Sequence, residues 1–551
     1  MNLSNSELAL ITGDLNLING NITAATGTSL NLNGKLVIGV NGGSITGQGS
    51  MTLNATNGLV IDSSINTSGN IVLDGDSNNS SETSDGITLA SGLSLTSTGG
   101  TITLDATKGG VTAPGAVTLT AAGVNLNDNF TASGPILIKS NGLTIGGTTL
   151  SSGTASTTIL TSIAGTTIGL CGAVCTGSFG LGLTSTDLAK ISAGSLIIGD
   201  SSNGNITVEG ITTSIDDVTL NATNSSGRSI TFNTGTSNFK GLAVNASNGI
   251  VLSSGVTTQG TTSFDSDTDA GTNIGGDFIL AASQSLSTTN NSLSISANDV
   301  ALGAGSSISS GTADTTFLAA KTSRTIGLGS GVGDFSLSNS ELGLITAANI
   351  IVGNSTNGTI SLAGLTSFNT PLTLNAIGTG SAVNFTTGAS SGLGNVTINA
   401  GTGGVDFGTD FTTTGSLDVN SAGAIIDTGT LTVAGNSNFT TKVSNQAISI
   451  DSSLNSFTGA VSFNTLGTGN TILTSDNNFT LGVSTIGGNL LATTGGNNSI
   501  NVSGAIQTGG NTALQADNDI IFTADGDITC LLYTSDAADE GLGVDLGGRR
   551  I

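Results

Sequence analysis

A 28-residue stretch that occurs twice constrains this chain more than any other feature. Residues 183–210 read LTSTDLAKISAGSLIIGDSSNGNITVEG, and residues 337–364 read LSNSELGLITAANIIVGNSTNGTISLAG. The two align without a gap, and Leu188/Leu342, Ile191/Ile345, Ile197/Ile351, Gly199/Gly353 and Gly204/Gly358 are identical. A partial third copy, LSNSELALITGDLNLINGNI, occupies residues 3–22. A long unit that returns within one chain points to an array, in which each repeat buries its apolar side against its neighbours.

Between these anchors run short segments in which apolar and polar residues alternate. They lie at 51–55, 59–61, 70–73, 102–106, 117–121, 218–222, 242–246, 372–376 and 396–400. Alternation over about five residues is the signature of a strand with one buried face. Asn-Gly at 57–58, 248–249 and 357–358, and Gly-Gly at 42–43, 99–100, 403–404 and 487–488, place turns between them. Leu220 to Val244 spans 24 residues, as does Leu374 to Ile398, a length that suits one coil of two or three strands. Leu220 to Leu374, Val244 to Ile398 and Ile191 to Ile345 all span 154, so a super-repeat of six or seven coils overlies the single coil.

Asn-Gly also makes hairpins, which would give a β-sandwich array instead. Runs 8–12 residues apart with few tight two-residue loops favour a coil. The expected fold is therefore all-β, a right-handed parallel β-helix (β-solenoid), elongated and cut at both ends, spanning 1–529. About 24 rungs spaced about 4.8 Å apart would make a rod of about 115 Å. Only 3% of residues are aromatic, so aliphatic side chains are expected to fill the coil.

Composition narrows the function. The chain holds 84 Gly, 3 Pro, no His and no Trp, with 9% charged residues and a net charge of −25. Nucleic acids and anionic membrane surfaces call for basic stripes, which are missing. Without His, Ser-His-Asp and Cys-His catalysis and His metal sites are excluded. The native basic residues Lys35, Lys108, Lys139, Lys190, Arg228, Lys240, Lys321, Arg324 and Lys442 are scattered, which argues against a polysaccharide-degrading site. No run reaches transmembrane length and apolarity. Residues 1–22 lack the basic start and apolar core of a signal peptide.

The last 22 residues break the pattern. They hold the only Tyr, one of three Cys, and Arg549-Arg550. CLLYTSDAADE resembles the translation of a transposase-type sequencing adapter, and VDLGGRRI its flow-cell end. Residues 530–551 are therefore read as a non-native tail. Removing its four acids and two arginines leaves 32 acidic against 9 basic residues, a charge of −23.

Two groups of residues suggest chemistry. Asp265, Asp267 and Asp269, followed by Asp277, present oxygens at the one-three-five spacing that suits Ca²⁺. Asp74 and Asp76, with Asn78, Glu82 and Asp85, form a similar loop. The alternative is a solvated polar loop; no other cofactor is expected. Cys171 and Cys175 sit in a loop four residues longer than its counterpart at 326–337. An exported protein could close them as a disulfide; two reduced thiols are the alternative.

The run AIIDTGTLTVAGNSNF at 424–439 resembles the G-x-L-T-V-x-G rungs of filamentous-haemagglutinin-like large exoproteins, as do 489–509 and the anchors at 185–199 and 339–353. The resemblance implies a right-handed β-helix, export through an outer-membrane translocator by a two-partner or autotransporter route, and a secreted or cell-surface location. It also implies contact with host or neighbouring cells, glycans or matrix. A purely structural S-layer or biofilm-matrix role and a β-helical polysaccharide-degrading enzyme are the competing readings.

Overall fold

The structure, a computed structural model, describes residues 35–38, 45–79, 82, 85–107, 109–269, 275–366 and 368–530. It also gives the backbone of the strands Leu15–Leu17, Ile22–Ala24 and Thr28–Leu32. The first anchor copy, apart from these short strands, and residues 531–551 of the adapter-like tail lie outside the described residues. So does Lys108.

Every described strand pairing is parallel, and the strands stack in about 22 turns of a β-solenoid. No hairpin sandwich forms among the described residues. The chain divides into two compact units, residues 1–291 with 303–307 and residues 292–302 with 308–551.

In the first unit each turn lays strands on three faces. One face stacks Leu36–Ile38, Leu59–Ile61, Ile87–Leu89, Val111–Ala113 and Phe130–Ala132. A second runs from Ile45–Gly47 through Val117–Thr120 and Asp217–Ala222 to Thr262–Asp265. A third stacks Met51–Ala55, Ile71–Asp74, Thr101–Asp105, Gly123–Leu126 and Leu143–Ile145. The 24-residue spacing read from the sequence is the register itself: Leu220 lies opposite Val244 here, and Leu374 opposite Ile398 in the second unit.

Alternation decides which side chains enter the core. In Met51–Ala55 the first, third and fifth residues are buried, and Leu372–Ala376 and Val396–Ala400 repeat this pattern. Each buried Leu, Ile or Val contributes on the order of 1.5–3 kcal/mol. The core is less strictly aliphatic than its composition suggests. Phe385 stacks on Phe407 at 4.8 Å between centroids, and Phe439 on Phe463 at 5.7 Å. A ring fits because the rung spacing is itself a ring-stacking distance, so one Phe beneath another fills the coil without a void.

The turns are stitched by side chains. Asn129 Oδ1 accepts from the Thr148 and Thr149 N–H groups one turn on, at 2.8 and 3.0 Å, and from the Thr148 hydroxyl. Asn141, Asn205, Asn395, Asn436, Asn445 and Asn489 accept likewise from the next turn. The amide oxygen supplies the acceptor that an irregular corner lacks, and it adds no charge to an already acidic chain.

Candidate functional site

The repeated anchor is a structural device. After the strand Ile168–Cys171 the chain loops out and returns as Leu181–Thr184, paired in parallel on one side of it; Ile206–Glu209, from the next turn, pairs on the other. The returning strand therefore lies one level back, on the side of Leu143–Ile145. In the second unit Phe335–Leu337 takes the same place beside Ile326–Gly329, with Ile360–Ala363 opposite.

A helical turn follows each return, Ser185–Ala189 and Asn339–Leu342. Each opens on a reciprocal capping box. Thr184 Oγ1 accepts from Asp187 N–H at 3.2 Å, and Asp187 Oδ2 accepts from Thr184 N–H at 2.9 Å. Ser338 and Glu341 repeat the exchange at 3.3 and 2.9 Å. Glu341 is long enough to reach further: its Oε1 accepts from Leu302 N–H at 3.1 Å. These bonds satisfy N–H groups that a short helix leaves open. The S/T-x-x-D/E spacing was the signal that would have revealed them.

The identities between the copies now have reasons. Leu188 and Leu342 seat the turn in the core, each 1% exposed. Ile197 and Ile351 face outward and are only half-buried. Gly199 and Gly353 have φ of +80° and +82°, and a Cβ there would lie 2.3 Å from the carbonyl oxygen of Asn221 or Asn375. The buried Asn203 and Asn357 accept from Asp200 and Asn354 N–H and donate to Gly204 and Gly358. A further repeat escaped the sequence reading: SSGTASTT at 151–158 returns as SSGTADTT at 309–316. It encodes a buried hydroxyl pair, Thr157 to Ser152 at 3.0 Å and Thr315 to Ser310 at 2.8 Å.

Cys171 and Cys175 are joined by a disulfide across the long version of the loop. The shorter counterpart is held instead by Thr325 and Asp334, which exchange hydrogen bonds at 3.0 and 3.1 Å. Arg324 also donates to the Asp334 carbonyl at 3.0 Å. Val174 and Val332, at the tips, are 72% and 87% exposed.

The two acidic loops are one device used twice, although 191 residues separate them. Asp74 Oδ1 accepts from Asp76 N–H at 3.0 Å, and Asp265 Oδ1 from Asp267 N–H at 3.3 Å. Each loop docks on the preceding turn by the same three backbone bonds. Gly58 and Gly249 donate to Gly75 and Ser266, Ser77 and Thr268 donate to Ala55 and Ala246, and Leu59 and Ile250 donate to Gly86 and Asp277. Asp76 and Asp267 are buried, at 1% and 5% exposed. Among the described residues no group of three or more acidic or thiol side chains is arranged to hold a metal ion.

The fold brings Asp74 to carboxylates that the sequence reading did not connect with it. Asp105 lies directly opposite Asp74 in the next strand, and Asp128 Oδ2 accepts from Ala106 N–H at 2.6 Å beside them. Burial first, and then repulsion from Asp105, Asp76 and Asp128, hold the Asp74 carboxyl above the usual aspartate range; the Asp76 N–H opposes this. Asp128 is raised by burial and by Asp105. In the second unit the buried Asp427 is raised by desolvation, although Asn455 Nδ2 and the Asp451 and Ser452 N–H groups all donate to it.

No helix among the described residues is long and apolar enough to cross a membrane. No curated protein and no solved structure matches the chain. Residues 393–464 and 468–529, however, match a family described as repeats of unknown function (DUF5649), so over those two stretches the chain is similar to that repeat family.

Proposed function

We propose that this chain is the repeat shaft of a secreted or surface-attached exoprotein that makes contact with host or neighbouring cells, glycans or matrix. The observation that carries the reading is the parallel stacking of turns within each unit. A stack of this kind is a rigid repeat framework whose outer side chains recur at a fixed spacing. Contacts made on such a surface are shallow and numerous, and useful affinity comes from many at once. The acidic charge, the Cys171–Cys175 bridge and the resemblance to filamentous-haemagglutinin-like exoproteins support export through an outer-membrane translocator. A purely structural role in an S-layer or biofilm matrix uses the same framework.

Two measurements test the reading. Protease shaving of intact source cells should remove the protein, and beads coated with the full chain should gather cells or matrix. A protein protected inside the cell, on beads that gather nothing, sinks it.

One observation favours a second reading, a glycan-degrading enzyme. Asp74, Asp105 and Asp128 converge, and such enzymes need one protonated and one ionised carboxyl side by side. Reducing-sugar release from extracellular polysaccharides, abolished in Asp105→Asn, would establish it.

A further inference from the structure

The outer side of the second unit carries a groove across three consecutive strands, Leu417–Ser421, Ser437–Thr441 and Ala460–Asn464. Asp418, Asn438 and Ser462 lie directly opposite one another in register. Ser416, Asn436 and Ala460 form a parallel file beside them, and Leu417 and Ser437 complete the lining. The groove holds about 370 Å³, toward the small end for ligand sites.

It exists because the next turn breaks the flat face. Ala460 and Val461 pair with Thr480 and Leu481, but Asn464 pairs with Thr485. Gly482 still donates to the Val461 carbonyl, but Val483 bulges out beyond it and is 69% exposed. A Cβ on Gly482 would lie 2.5 Å from Ser462 Oγ, so bare backbone stands against the groove's last residue as an end wall.

The lining offers hydrogen-bonding groups that the protein leaves unused. The Asn438 side chain is exposed to solvent. Asn436 gives its oxygen to Ala460 N–H and keeps its Nδ2. Asp418 Oδ1 accepts from Asn420 Nδ2 at 3.2 Å and leaves Oδ2 open. A carboxylate, an amide and a hydroxyl therefore follow one another along the groove. No basic side chain lines it, and one carboxylate does, which rejects anionic ligands. Its only larger apolar side chain, Leu417, is fully buried.

We propose that this groove binds an uncharged, hydroxyl-rich chain, a neutral oligosaccharide laid along the stacking direction. Turns repeat every 4.7–4.9 Å, close to the length of one sugar ring in an extended chain. Successive rings then meet Asp418, Asn438 and Ser462 in turn. The proposal deepens the adhesive reading and takes its biological setting from it.

The test uses the full chain with cellotetraose, mannotetraose and N-acetylchitotetraose as neutral probes. A sulfated heparin tetrasaccharide and tetragalacturonate are the anionic ones. Saturation-transfer NMR and calorimetry should find binding to at least one neutral probe and to neither anion. Asn438→Leu should weaken that binding about tenfold, the loss of one or two hydrogen bonds, with Tm unchanged. Thr118→Leu, on the outer side of the first unit, should leave it intact. No neutral binding, tighter anion binding, or binding indifferent to both Asn438→Leu and Asp418→Ala overturns the proposal. Coated beads that still gather cells while no neutral sugar binds sink the groove alone. Sugar binding on beads that gather nothing sinks the adhesive reading alone.

Discussion

Thr471 is 1% exposed, and its hydroxyl finds no partner between Ile448 and Leu490. A buried hydroxyl without a partner carries its desolvation cost uncompensated. Thr471→Val keeps the branched shape and removes the cost, so it should stabilise the second unit by about 1 kcal/mol. A rise in the urea midpoint checks this. Four buried or half-buried aspartates give a second prediction. Asp74, Asp128, Asp406 and Asp427 are all raised above the ordinary value of 3.8, chiefly by desolvation. Between 3.8 and the raised values the folded chain holds more protons than the unfolded one, so stability falls as pH rises through that window. Self-repulsion in a chain of net charge −25 acts in the same direction. The Tm should therefore be higher at about pH 4, near the bottom of that window, than at about pH 8; a maximum at or above neutrality contradicts the assignment.

The nine alternating runs picked out in the sequence begin and end within one residue of actual strands. They were legible because a strand with one buried face writes its period into its own residues. The backward strands Leu181–Thr184 and Phe335–Leu337 were not legible, since their partners are chosen by a fold-back that no local pattern records. The acidic loops show the same limit: each Asp-x-Asp was visible, but Asp105 and Asp128 reach Asp74 only through stacking. The capping boxes set the cost of the anchors. Thr184→Ala and Ser338→Ala should each cost about 1 kcal/mol, with faster amide exchange confined to the helical turn and the strand before it. If the Asp265–Asp267–Asp269 spacing serves as a calcium site, millimolar Ca²⁺ raises the Tm of the full chain and Asp267→Ala cancels the rise. An unchanged Tm removes calcium from consideration.

At the scale of the molecule, stability in each unit is a sum of turns and their interfaces, so damage should stay close to where it is made. Leu220→Ala, in a fully buried position between Ile198 and Val244, should loosen its own turn and its two neighbours. Exchange rates four turns away should not change. The backward step has a consequence for how the chain is made. Elsewhere in a unit each new segment lands on a finished layer, so a chain delivered from its N-terminus can zip shut as it arrives. At Ile168–Cys171 that order fails: the layer beneath is supplied by residues that come later. Assembly there must wait for Leu181–Thr184 to thread into place, and the same wait recurs at Ile326–Gly329. These two points are where a slow step in vectorial folding belongs.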